Sequence, residues 1–231
     1  MELYLQTASL PYLQQFIGVL PFSGIYCTPS SVAMEKGDGW TILNNIDLAL
    51  KADQKMFAWV VKRDYNGMIK EATELENASD DLIVCLPCTR EGFQAMAACQ
   101  KLKIHVCATA CFTYLQAICA GQIGVEYVEL SMSELAENGD PTTLIRDIHD
   151  SLPKGVKIIA SGLQNGQQAR KAAAAGAEAL VLTPLLLNSI LSNPQSRMAF
   201  GREQMVWTQR YGSDSIHAVD VEPDEDEKEP A

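Results

Sequence analysis

Leu82-Ile-Val-Cys85, then Glu91-Gly-Phe-Gln-Ala-Met-Ala-Ala-Cys-Gln-Lys-Leu102, then His105-Val-Cys-Ala-Thr109 is the stretch on which the fold turns. Its outer segments are short and apolar, and its middle segment has helical period. Together they read as a strand, a crossover helix and a second, parallel strand. The same alternation recurs about eight times. The other strand candidates are Glu2 to Leu5, Gly24 to Cys27, Met56 to Val60, Tyr127 to Leu130, Lys157 to Ala160 and Ala179 to Leu182. The clearest remaining helices are Met68 to Glu76, Leu115 to Ile123, Thr142 to Ser151 and Gln167 to Ala175, the last stopped by Ala173-Ala-Ala-Gly176.

Eight βα units in 231 residues fit a closed (β/α)8 TIM barrel in the α/β class. An open doubly wound sheet is the alternative, but no GxGxxG follows the first strand as a nucleotide-binding sheet would require. Two further helices, Pro184 to Leu191 and Pro194 to Tyr211, follow the eighth strand. The expected organisation is therefore one barrel with an extra C-terminal helix over residues 1–212 and an acidic, unstructured tail over 213–231. That appendage either covers its own barrel or packs on a neighbouring subunit.

Charge and cysteine content narrow the function classes. From Asp220 to Ala231 there are seven acids and one lysine, net −6 out of a formal −11, so much of the acidity belongs to the tail. No Lys/Arg cluster interleaves with aromatics, and no 18 apolar residues run together. Neither a nucleic acid nor a membrane is an expected partner. Seven scattered cysteines do not make a disulfide framework. They read as thiols in a reducing, cytoplasmic compartment.

Barrel chemistry sits where the strands end. The residues closing the strands are Gln6, Thr28, Trp59, Cys85, Thr109, Ser131 and Ser161, and none is a carboxylate, a histidine or a lysine.

A family resemblance rests on Met1-Glu-Leu-Tyr-Leu-Gln-Thr7, Gly24-Ile-Tyr-Cys-Thr-Pro-Ser30, Leu82-Ile-Val-Cys-Leu-Pro-Cys-Thr89 with Glu91-Gly92, Ala108-Thr-Ala110 and Glu126-Tyr-Val128. The chain resembles the small transaldolases and fructose 6-phosphate aldolases over roughly residues 1 to 210. The resemblance implies carbohydrate metabolism, a homo-oligomer (decamer or pentamer), and a lysine Schiff base that works without metal or cofactor. It also implies that the lysine position is occupied by Cys85. The aspartate and asparagine beside that lysine are replaced by Gln6 and Thr28, the third-strand Glu or Gln by Trp59, and the relay tyrosine by Ser131. The phosphate-binding arginine corresponds to Glu134, and the loop Ser161-Gly-Leu-Gln-Asn-Gly-Gln167 carries no positive charge. Phe57, Thr109 and Ser161 are retained.

The expectation is a barrel inactive in class I aldol chemistry, serving as a pseudoenzyme or a binding or assembly component, with a small carbonyl or polyol ligand possible. The alternative is altered chemistry on a carbonyl substrate with Cys85 as nucleophile or a relocated lysine such as Lys62. Strand alternation turns Cys85, Cys107 and Thr109 inward and Cys27 toward the helices. No histidine sits on a strand end to activate a thiol. Cys85-Leu-Pro-Cys88 lacks the helix N-terminal placement of a redox CxxC, and no paired spacing suggests a metal.

Overall fold

The computed structural model describes residues 1–79, 81–137 and 139–217. The first third holds β1 (Glu2–Gln6), α1 (Leu10–Ile17), β2 (Gly24–Cys27), α2 (Pro29–Ala33), α3 (Gly39–Asp47) and β3 (Lys55–Trp59). The middle holds α4 (Tyr65–Glu76), β4 (Leu82–Pro87), α5 (Arg90–Leu102), β5 (Val106–Thr109) and α6 (Tyr114–Ile123). Then come β6 (Tyr127–Ser131), α7 (Met132–Leu135), α8 (Pro141–His149), β7 (Lys157–Ser161), α9 (Gly166–Ala175) and β8 (Ala179–Leu182). Two helices follow, α10 (Pro184–Leu191) and α11 (Pro194–Tyr211).

All strand pairs are parallel, in chain order, and β8 returns to β1, so the sheet is a closed barrel. The (β/α)8 expectation holds, and the open-sheet alternative does not. Closure follows from the strands themselves. β2, β5 and β8 are buried at every position, which needs both faces covered, one by the barrel interior and one by helices. Two apolar clusters result. The larger fills the layer between strands and helices and includes Cys27, as the alternation requires. The smaller lies inside the barrel: Tyr4, Tyr26, Phe57, Ile83, Cys85, Cys107, Tyr127, Ile159, Ala179 and Val181.

Helix starts are fixed by local chemistry. Thr89 caps α5 by accepting the Gly92 N–H at 3.1 Å, and Asp64 caps α4 by accepting from Gly67 at 2.9 Å. Thr113 and Gln116 close a reciprocal capping box on α6. Such caps each contribute about 1 kcal/mol. At Gly92 any Cβ would sit 1.8 Å from the Pro87 carbonyl oxygen, so only glycine lets α5 start this close to the end of β4. That contact fixes the segment carrying Cys85.

The chain divides into two compact units after Leu187. In the second, Asn193 caps α11 through the N–H groups of Gln195 and Ser196, and Trp207 packs on Tyr211 with centroids 4.4 Å apart. The acidic stretch from Asp220 lies outside the described residues. Among the described residues no helix is long and apolar enough to cross a membrane.

Candidate functional site

Side chains on the inner face of the barrel fall into layers, because residues two apart on a strand share a face. The layer at the strand N-termini is ionic. Glu2 accepts from the Tyr4 and Tyr127 hydroxyls, each at 2.9 Å, and pairs closely with Lys157. Lys55 reaches Tyr127 at 3.3 Å and Glu126 at 3.6 Å, and His105 hydrogen-bonds Glu126. Burial alone would raise the Glu2 pKa. Hydrogen bonds from Lys157, Tyr127 and Tyr4 overcome it and hold Glu2 below the ordinary glutamate value.

Above that layer is an aromatic one. Phe57 meets Tyr4 and Tyr127 edge-on, at 4.8 and 5.1 Å, and lies 5.3 Å from Tyr26.

The upper layer holds the candidate site. Cys85 and Cys107 are register partners on β4 and β5, both fully buried, and Trp59 is the β3 partner of Cys85. The indole N–H of Trp59 donates to the Tyr26 hydroxyl at 3.3 Å, and Tyr26 itself is 1% exposed. Burial drives the Tyr26 and Cys107 pKa values well upward, and the neighbouring Glu129 carboxylate adds to both shifts, so both groups stay protonated at neutral pH.

Glu129 is the one ionised or ionisable carboxylate inside this layer among the described residues. It accepts a hydrogen bond from the Ser161 hydroxyl and another from the Ala110 N–H. Ala110 presents that N–H from a left-handed conformation, φ 49°, which costs energy for a residue with a Cβ and is repaid by the charge-assisted bond. Burial pushes the Glu129 pKa up to about 7. The bonds from Ser161 and Ala110 pull against that shift, and the Glu134 charge adds to it. Thr109 Oγ1, fully buried beside this group, has no hydrogen-bond partner among the described residues.

The sequence-derived site residues divide into three groups. Cys85, Cys107, Trp59, Thr109 and Ser161 come together in the upper layer, with Phe57 below them in the inner core. Gln6, Thr28 and Ser131 lie at the rim and are half-buried. Thr28 is occupied as the cap of α2, accepting from Ser31 at 3.1 Å, and Ser131 pairs with Ser133 at 3.4 Å. Glu134 is exposed on α7, near enough to act on Glu129 electrostatically. Lys62 is exposed after β3, its N–H donating to Glu71 at 2.9 Å, and does not line the barrel.

Two central residues are missing from the strand-end reading, Tyr26 and Glu129. Each sits two positions before the rim residue of its strand, Thr28 or Ser131, and therefore on the same face. Stepping back one inward position from every strand end finds both. All seven cysteines are free thiols, and no group of three or more His, Cys, Asp or Glu is gathered as a metal would need among the described residues.

Fold and interior together define a (β/α)8 barrel of the kind whose functional groups gather at the C-terminal ends of its strands. The chain belongs to the transaldolase/fructose-6-phosphate aldolase family, whose model matches residues 33–218. Solved structures add fold likeness alone. A cube-shaped, highly porous designed protein cage built by fusing symmetric oligomeric domains is similar at 12% identity and TM-score 0.62, over 92% of this chain and 78% of that one. A structure described as native KDPGal is similar at 14% identity and TM-score 0.59, over 79% and 82%. Inosine 5′-monophosphate dehydrogenase from Legionella pneumophila is similar at 14% identity and TM-score 0.50, over 70% and 50%.

Proposed function

We propose that this chain is a transaldolase-family barrel that has given up lysine Schiff-base chemistry and serves a binding or assembly role. One observation carries the reading: among the described residues, no amine lies in the upper barrel interior around Cys85. Among the described residues the inner-face lysines are Lys55 and Lys157, at the first positions of β3 and β7 and engaged with Glu126, Tyr127 and Glu2. Lys55 lies four residues before Trp59, about 13 Å lower at ~3.3 Å per residue.

A Schiff base needs a primary amine to attack a ketone, lose water and leave an iminium that draws electrons from the adjacent C–C bond. A thiol adds to a carbonyl and stops at a hemithioacetal, which offers no such sink. The bond between Trp59, the β3 register partner of Cys85, and the buried Tyr26 supports the same reading, since both rings take up space in the cluster that holds the two thiols. Loss of positive charge at Glu134 and in the loop after Ser161 supports an unphosphorylated ligand, a small carbonyl compound or polyol, if one is held. The family resemblance supports a homo-oligomer, and the free thiols support a reducing, cytoplasmic setting.

A second reading is favoured by Glu129 alone. A carboxyl poised near neutrality inside a barrel is suited to moving a proton to or from a carbonyl compound, without any covalent intermediate. Cys85 as a nucleophile has less support, because among the described residues no base other than Glu129 is in place and its neighbour Cys107 is held protonated.

Turnover of fructose 6-phosphate tests the first reading. No cleavage is expected from the unaltered chain. Cleavage that survives Cys85→Ala would show that another group performs the family reaction.

A further inference from the structure

A cavity of about 440 Å³ lies outside the barrel interior, between the β2–β3 wall and helices α2, α3 and α4. Its size is within the range of about 300–1,000 Å³ usual for small-ligand sites. Val32, Leu43 and Leu75 give it apolar walls, and two indoles, Trp40 and Trp59, line it as well. Trp59 is shared with the barrel, because its N–H donates inward to Tyr26.

The polar part of the lining has one sign. Glu35, Glu71 and Glu74 contribute carboxylates, and no lysine or arginine lines the cavity among the described residues. Glu71 is held in place by the N–H groups of Val61 and Lys62, at 2.7 and 2.9 Å. Glu74 shares the exposed Lys70 at 3.9 Å, a contact that solvent screens strongly.

Apolar walls, indole faces and carboxylates of one sign select by charge. The negative face of an indole attracts a cation, most strongly where water is partly excluded, and carboxylates at the rim add to it. An anion would find no positive partner here, and the chain's own acidic C-terminal stretch carries the wrong sign. A neutral apolar molecule would cover carboxylates without compensating them.

We propose that this cavity binds an organic cation: an amine or quaternary ammonium group on a compact apolar body. The body packs on Val32, Leu43 and Leu75, and the charge lies between the indoles and the three glutamates. The site is independent of whether the barrel interior retains any aldol chemistry.

Benzyltrimethylammonium titrated into the full chain, followed by calorimetry and tryptophan fluorescence, tests this directly. Saturable binding at one site per chain is expected, with benzyl alcohol at least tenfold weaker and benzoate not binding. Trp40→Ala, at a residue 44% exposed, should weaken the cation at least tenfold while the chain still unfolds in one cooperative transition, and Trp40→Phe should recover part of the binding. Glu35→Gln with Glu74→Gln should bring the cation down to the affinity of benzyl alcohol. Absence of saturation, equal binding of benzyl alcohol, or cation binding unaffected by Trp40→Ala would each overturn the proposal. So would sedimentation showing that Trp40→Ala breaks up an assembly, since this face would then be a contact between copies of the chain.

Discussion

Ser161 donates its hydroxyl hydrogen to the carboxylate of Glu129 across the β6–β7 pair, and this bond joins the only carboxyl of the upper barrel layer, among the described residues, to a residue at a strand end. It is also where the upper layer of this barrel answers to pH near neutrality.

The Glu129 pKa rises on folding from 4.5 to about 7, so the native state holds its proton more tightly than the unfolded chain does. The associated stability is fully present below pH 4.5 and is lost as pH rises through about 7. The loss approaches about 3 kcal/mol well above neutrality. Glu129→Gln keeps the acceptor for Ser161 and removes the titration. Thermal melts from pH 5 to 9 should show the unaltered chain losing several degrees relative to the variant at the alkaline end, with the two converging at pH 5. Parallel curves would mean that Glu129 is not buried as described.

Tyr26→Phe removes the acceptor for the Trp59 indole N–H while keeping the ring. The expected cost is about 1–2 kcal/mol in urea unfolding, since a half-buried donor loses its partner. A neutral result would show that Trp59 turns to solvent and does not close the interior.

Gly92→Ala should be far more damaging than an ordinary helix substitution that favours alanine. The new Cβ would lie 1.8 Å from the Pro87 carbonyl oxygen, and relief requires shifting either α5 or the end of β4. A loss of more than about 3 kcal/mol in chemical unfolding is expected, in the range that marks steric conflict in a packed site.

Much of the fold was legible because a barrel repeats one signal eight times. β2, β8, α10 and α11 have the same bounds in sequence and structure, and most other elements differ by one to three residues at an end. Helices α1, α2, α3 and α7 were not singled out from the sequence. α2 and α7 are only 5 and 4 residues long. The apolar faces of α1 and α3 are short, with two buried residues in each, and these helices start at Ser9, which makes no side-chain cap, and at an Asp38-Gly39 pair that also reads as a turn.

The site was half legible. Strand-end positions are visible in sequence, so Cys85, Thr109 and Ser161 were found. Glu129 was not, because a single charged residue in Tyr127-Val-Glu-Leu-Ser131 gives no sign of whether it faces inward or is simply a solvated strand residue. Closure of the barrel decides that, by placing β7 and its Ser161 directly beside it. The outer cavity was out of reach of sequence reading, since α2, α3, α4 and β3 meet there only through tertiary packing.

On the proposed reading, Cys85→Lys supplies an amine at one position and changes nothing around it. On that reading Gln6, Thr28, Trp59, Ser131 and Glu134 also depart from what the family chemistry uses, and Trp59, the register partner of position 85, would still be bonded to Tyr26. Steady-state assays should find kcat/KM for fructose 6-phosphate within about tenfold of background. Substantial turnover in that single variant would show that the remaining differences matter little.

The central claim, that no amine is positioned to form an iminium in the upper barrel, is tested most directly by incubating the chain with dihydroxyacetone, reducing with borohydride and mapping adducts by mass spectrometry. No reduced adduct on any lysine is predicted. A stoichiometric adduct on a lysine, Lys55, Lys62 or Lys157 included, would contradict the account.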